Sequence, residues 1–215
     1  MRPYGAAVVG TTDRGSAAAR RELGPEANTR LTAATALVLL VLLAVEGCTI
    51  VAIGPMLSWH VFIGMLLVPP TLLKLGTTGY RFLRYYLGSP AYVRRGAPPV
   101  VLRLLGPFVV VLTVVLFASG IALLVVPARH QWLLTVHKAS FVLWFGATTV
   151  HVLGHLAETL RHGGRDWTRR RRSAVPRAGL RQWVLVATVA LGIPLGLALL
   201  PYVGPWLASS GHLAR

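Results

Sequence analysis

Apolar residues come in five long, unbroken runs, with the polar residues gathered between them. The runs cover 31–54, 56–79, 104–126, 133–157 and 182–203. Each has about the 20 residues that a helix needs to cross a hydrocarbon core. A backbone surrounded by lipid must satisfy its own hydrogen bonds, so each run is predicted to be a helix. Strands of a membrane barrel alternate apolar and polar positions, and these runs do not. The predicted fold is all-α, an integral membrane helical bundle. Four helices within 31–157 form its core, and 182–215 adds a fifth transmembrane helix and a short tail. Residues 1–30 are small, polar and Arg-containing, and are expected to be a disordered tail. Residues 158–181, with their run of four arginines, are expected to be a basic loop.

Short connections around "GPMLSW" and "PARHQW" make the first and second helices, and the third and fourth, antiparallel neighbours. The second and fourth then run parallel. The longer link "YRFLRYYLGSPAYVRRGAPPVVLR" mixes arginine with aromatic rings and is expected along a membrane interface. Pro69, Pro70, Pro194 and Pro201 are predicted kink positions.

Charge adds orientation. The chain has 22 Lys and Arg against 6 Asp and Glu, a net charge of +16. Nearly all the arginines lie before the first run, between the second and third, or between the fourth and fifth. Basic residues favour the cytoplasmic side, so the N-terminus is expected inside and the C-terminus outside a multi-pass cell membrane. The excess charge therefore points to the lipid bilayer and its anionic headgroups, not to nucleic acid. Cys48 is the lone cysteine, which excludes a disulfide framework, a CxxC zinc site and covalent haem attachment through CxxCH.

Histidines inside the runs carry the candidate chemistry, because ionisable groups in a membrane normally have a task. His60 and His137 lie at matching depth near the outer ends of the parallel second and fourth helices. Two imidazoles facing each other can supply both axial ligands of a haem iron. Fourteen residues of helix advance about 21 Å and return to nearly the same face. His151 therefore stands below His137, while the matching position below His60 is Lys74. Gly120 and Gly106 on the third helix, and Gly47 and Ala33 on the first, keep the same two levels. Small residues there let a flat macrocycle approach the backbone. Arg129 and Lys138 at the outer face are candidates to neutralise its propionates.

This pattern resembles the membrane cytochrome b superfamily, the group that includes the cytochrome b subunits of hydrogenases and formate dehydrogenases. The resemblance covers 31–157. It implies a four-helix haem-binding core, haem b held without covalent attachment, and electron transfer between the quinone pool and a partner redox subunit within a larger complex. By position, His60 and His137 match the ligands of an outer haem and His151 one ligand of an inner haem. Lys74 departs from the pattern at the fourth position.

Other readings remain for several of these residues. His60 and His137 also suit interfacial histidines, and Gly47 and Gly120 ordinary helix packing. His151 and His155, one turn apart, suit a transition metal, or His155 could replace His151 as ligand. Lys74 could snorkel to the interface, and Glu46 could bond an imidazole. The rival functions are a haem-free scaffold or assembly subunit and a small transporter.

Overall fold

In the computed structural model, the backbone is described for residues 9–96, 100–126, 131–168, 175 and 177–211, and the side chains from residue 24 to 208 within those bounds. All elements among them are helical: α1 (Val9–Val51), α2 (Ile53–Tyr86), α3 (Pro90–Val93), α4 (Val100–Val125), α5 (Gln131–Gly163) and α6 (Ala178–Leu199). A 3-10 turn (Leu200–Val203) then leads into α7 (Gly204–Gly211). Five stretches are long and apolar enough to cross a membrane: Gly24–Val51, Ile53–Tyr86, Val100–Val125, Gln131–Gly163 and Ala178–Ala208. Each contains the corresponding predicted run apart from a few residues at its ends.

The helices outrun the hydrophobic segments. α1 is helical from Val9, within the segment expected as a tail; residues 1–8 lie outside the described part. Its Pro25 does not end the helix, and the Pro25 carbonyl is used by side chains instead: Thr29 Oγ1 donates to it at 2.8 Å and an Arg95 guanidinium at 3.2 Å. The first connection is also tighter than expected. Only Ala52 separates α1 from α2, so "GPMLSW" belongs to the start of α2, with Pro55 in its first turn, where a missing N–H costs little. α2 continues through Pro69 and Pro70 to Tyr86. Glycines at φ +73° (Gly88) and +76° (Gly96) then turn the chain on either side of α3.

α1 packs between α2 and α5, and α5 packs against α4, while α4 touches α2 only lightly. The four helices therefore form a ring with α2 and α5 on one diagonal. α6 lies against the other side of α2 through Gly192 and Gly196, one turn apart. A Cβ on Gly192 would stand 2.7 Å from the Leu66 carbonyl oxygen, and one on Gly196 would stand 2.7 Å from the Phe62 ring. Close backbone approach of this kind is what small residues at four-residue spacing permit in membrane helices.

Polarity runs inward. Leu104, Val142 and Trp183 face outward, whereas Thr35, Glu46, Thr49, Thr113, Ser119 and Ser140 are buried. Several buried hydroxyls donate back to their own helix: Thr35 to the Leu31 carbonyl at 2.8 Å and Thr113 to Val109 at 2.7 Å. Thr113 also accepts from Trp144 Nε1 at 2.8 Å, which ties α4 to α5.

Candidate haem site between two diagonal helices

α2 and α5 bring His60 and His137 together across the bundle, with ring centroids 6.5 Å apart and ring planes at 80°. Their parallel register holds along the helices: Arg81 and Glu158, each twenty-one residues further on, also meet, at 3.8 Å. Two imidazoles bound on opposite sides of one metal, with metal–nitrogen bonds of about 2 Å, have ring centroids roughly 6 Å apart. Each plane then contains the bond axis, so any dihedral angle between the planes is compatible with such binding.

The second nitrogen of each ring is held. Thr49 Oγ1 donates to the Glu46 carbonyl at 2.6 Å, which leaves its lone pair to accept from His60 Nδ1 at 3.1 Å. Glu46 Oε1 lies 2.9 Å from that same Nδ1. On the other side, Ser119 Oγ donates to the Leu116 carbonyl at 3.0 Å and so accepts from His137 Nδ1, also at 3.0 Å. With the Nδ1 protons engaged, both rings carry their free lone pair on Nε2, the form a metal-binding imidazole needs. These donors fit a bis-histidine iron.

The two glycines at this level do different work. A Cβ on Gly120 would stand 3.1 Å from His137 Cε1, so this glycine makes room for the His137 ring itself. Gly47 has nothing within 4 Å of a built Cβ, and is open. Lys138 is exposed, and Arg129 lies outside the described residues.

The level nearer the other end of the bundle is built differently. Lys74 Nζ donates to the Thr32 carbonyl of α1 at 3.1 Å. His151 stacks beside His155 with centroids 4.8 Å apart, and its Nδ1 is buried with no hydrogen-bond partner among the described residues. His155 Nδ1 approaches Glu158 instead, at 3.6 Å. No group of three or more His, Cys, Asp or Glu side chains suited to a metal occurs among the described residues, so His151 and His155 gain no third ligand. Ala33 is buried, with its carbonyl oxygen 3.1 Å from a Cβ built on Gly163, and serves α1–α5 packing; Gly106 is open. Among the described residues, no second histidine stands opposite His151 at this level.

A cluster that the sequence reading missed closes that end. Glu26 accepts from Arg30 (3.1 Å), Arg95 (2.8 Å) and Arg165 (3.2 Å), and Asp166 accepts from Arg30 (3.2 Å) and Arg181 (2.7 Å). Burial would push the Asp166 carboxyl up, but the Arg181 and Arg30 guanidiniums outweigh it and hold it below the usual aspartate range. The predicted loop 158–181 is thus helical to Gly163 and anchored at Asp166; residues 169–174 and 176 lie outside the described part.

Comparison with protein-family models, curated proteins and solved structures finds no match to this chain.

Proposed function

We propose that the protein is a membrane electron-transfer protein that binds one haem b between α2 and α5, with His60 and His137 as axial ligands. One observation carries this reading: two imidazoles 6.5 Å apart on diagonal helices, each with its Nδ1 already bonded inside the protein. A structural histidine in a membrane core would satisfy itself with one partner and need no second imidazole opposite. Haem bound there supplies one-electron transfer by its iron.

The chain's own residues do the rest. Thr49, Glu46 and Ser119 hold the two rings in the Nε2-lone-pair tautomer. Gly120 seats the His137 ring, and the open surface at Gly47 leaves space for a macrocycle edge. The apolar flanks of α2, α4 and α5 exclude water, and Lys138 with Arg129 would meet carboxylates at that end. The arginine distribution supports an outer-face position for this end in a cell membrane, with the N-terminus inside. Electrons would then be exchanged with the quinone pool or an extracytoplasmic redox subunit. Lys74, tied to α1, and His151, without an opposite ligand, argue for one haem and not two.

The test is a reduced-minus-oxidised absorbance spectrum of detergent-purified protein from haem-replete cells, with haem-to-chain stoichiometry. A b-type α band at one haem per chain is expected. It should vanish in His60→Ala and in His137→Ala and persist in His151→Ala. Absence of the band in the wild type would overturn the reading, and its loss in His151→Ala at a stoichiometry of one would move the site to the other level.

A further inference from the structure

We propose that Glu46 is a positioning residue that strengthens His60 as a ligand and makes the two axial histidines unequal, thereby lowering the reduction potential of the site. The inference rests on the haem reading above and extends it to a residue that touches the ring and not the iron.

Glu46 stands within an apolar stretch of α1, is 9% exposed, and has His60 as its ion-pair partner among the described residues. A carboxylate in a membrane core is costly, and no guanidinium or ammonium offsets this one among them. The fold nevertheless accommodates it from three sides. Its Oε1 lies 2.9 Å from His60 Nδ1, and its Oε2 lies 3.3 Å from Thr49 Oγ1. Gly64, one turn beyond His60 on α2, presents only a hydrogen there, and a Cβ would stand 3.4 Å from Oε1. Thr49 is 1% exposed and is bonded to the Glu46 carbonyl, so acid, hydroxyl and ring form one connected unit. His137, in contrast, has neutral hydrogen-bond partners among the described residues, the Ser119 hydroxyl at its Nδ1 and the Leu116 backbone, and no carboxylate.

The consequence is electronic. Hydrogen bonds to ionised acceptors are roughly twice as strong as those between neutral groups. A carboxylate behind a ligating histidine fixes its orientation and raises its basicity. A more basic ligand, with a negative charge behind it, favours the more positively charged ferric state. His60 is therefore the stronger donor and His137 the weaker one, and the potential falls below that of a site with two hydroxyl-bonded histidines.

Glu46→Gln keeps shape and acceptor but removes the charge. In a potentiometric titration of the haem-loaded protein, it should shift the ferric/ferrous equilibrium at least tenfold toward ferrous, a rise of about 59 mV in midpoint potential for a one-electron couple. Ser119→Ala, which removes a neutral partner, should shift it less. A second readout needs no haem: in the apoprotein, the 15N shifts of the His60 ring should show Nδ1 protonated and Nε2 bare, and Glu46→Gln should change the Nδ1 shift while the His137 ring stays as it was. An unchanged midpoint in Glu46→Gln, a Ser119→Ala shift of equal size, or a His60 ring indifferent to Glu46 would each overturn the inference. A wild-type protein without haem would instead overturn the haem reading, and the apoprotein spectra would still decide whether Glu46 holds His60.

Discussion

At Gly120 a Cβ would stand 3.1 Å from the edge of the His137 ring, and the branched methyls of valine would reach further. Overpacking of this kind costs about 1–3 kcal/mol, or roughly five- to a hundred-fold in affinity if it falls on ligand placement. Gly120→Val should therefore weaken haem binding within that range when apoprotein is titrated with haem by absorbance. Gly47 gives a separate test, because nothing lies within 4 Å of its Cβ. Gly47→Val should not lower the apoprotein's thermal stability, and weaker haem uptake by it would mark the path of the macrocycle. At this scale the sequence shows the pair His60 and His137, because matched depth on parallel helices follows from spacing alone. Ser119 is illegible there: a serine in a membrane helix normally bonds its own preceding turn, as Ser119 does with Leu116, and the second bond to His137 depends on how α4 is rotated.

Among the elements, α6 owes its place to two glycines and not to hydropathy. A Cβ at Gly192 would stand 2.7 Å from the carbonyl oxygen and 2.8 Å from the Cα of Leu66, and backbone cannot swing aside as a side-chain tip can. Alanine improves a helix by about 1 kcal/mol over glycine, but here an overpacking cost of about 1–3 kcal/mol opposes that gain. Gly192→Ala should thus lower the midpoint of SDS-induced unfolding without moving the α band expected of the proposed haem. Gly204→Ala, where nothing lies within 4 Å, should not lower it. Hydropathy located all five spans because lipid demands unbroken apolar stretches. It missed the helix ends, since α1, α2 and α5 continue into polar sequence where hydropathy carries no helical signal. It also misplaced the first turn, because Gly54 and Pro55 are usual in loops and equally suited to a helix's opening turn.

For the molecule as a whole, the histidine end and the arginine end hold together by different means. Near His60 and His137 the bundle depends on hydrogen bonds to two rings. At the other end, Asp166, 5% exposed, joins Arg30 of α1 to Arg181 of α6, and its backbone carbonyl accepts from Gln182 Nε2 at 2.9 Å. Three distant parts of the chain meet at this one carboxylate, which sequence could not reveal in a segment crowded with arginines. Removing one partner of a buried ion pair costs about 3–5 kcal/mol, because the others are left buried and uncompensated. Asp166→Asn should therefore lower the unfolding midpoint in SDS more than Gly192→Ala does, while a haem at His60 and His137, far along the bundle, keeps its spectrum. The sign of the pH effect follows from the depressed Asp166 pKa: the unfolded chain takes up the proton first, at about 3.9, and the folded chain only at lower pH. The stabilisation from Asp166 is complete above that unfolded value and is lost as pH falls through the folded one. Wild-type protein should thus lose stability below about pH 4 more steeply than Asp166→Asn, which has no proton to gain there. Parallel acid titrations of the two proteins would show the carboxylate is not holding α1 to α6 if their slopes coincide.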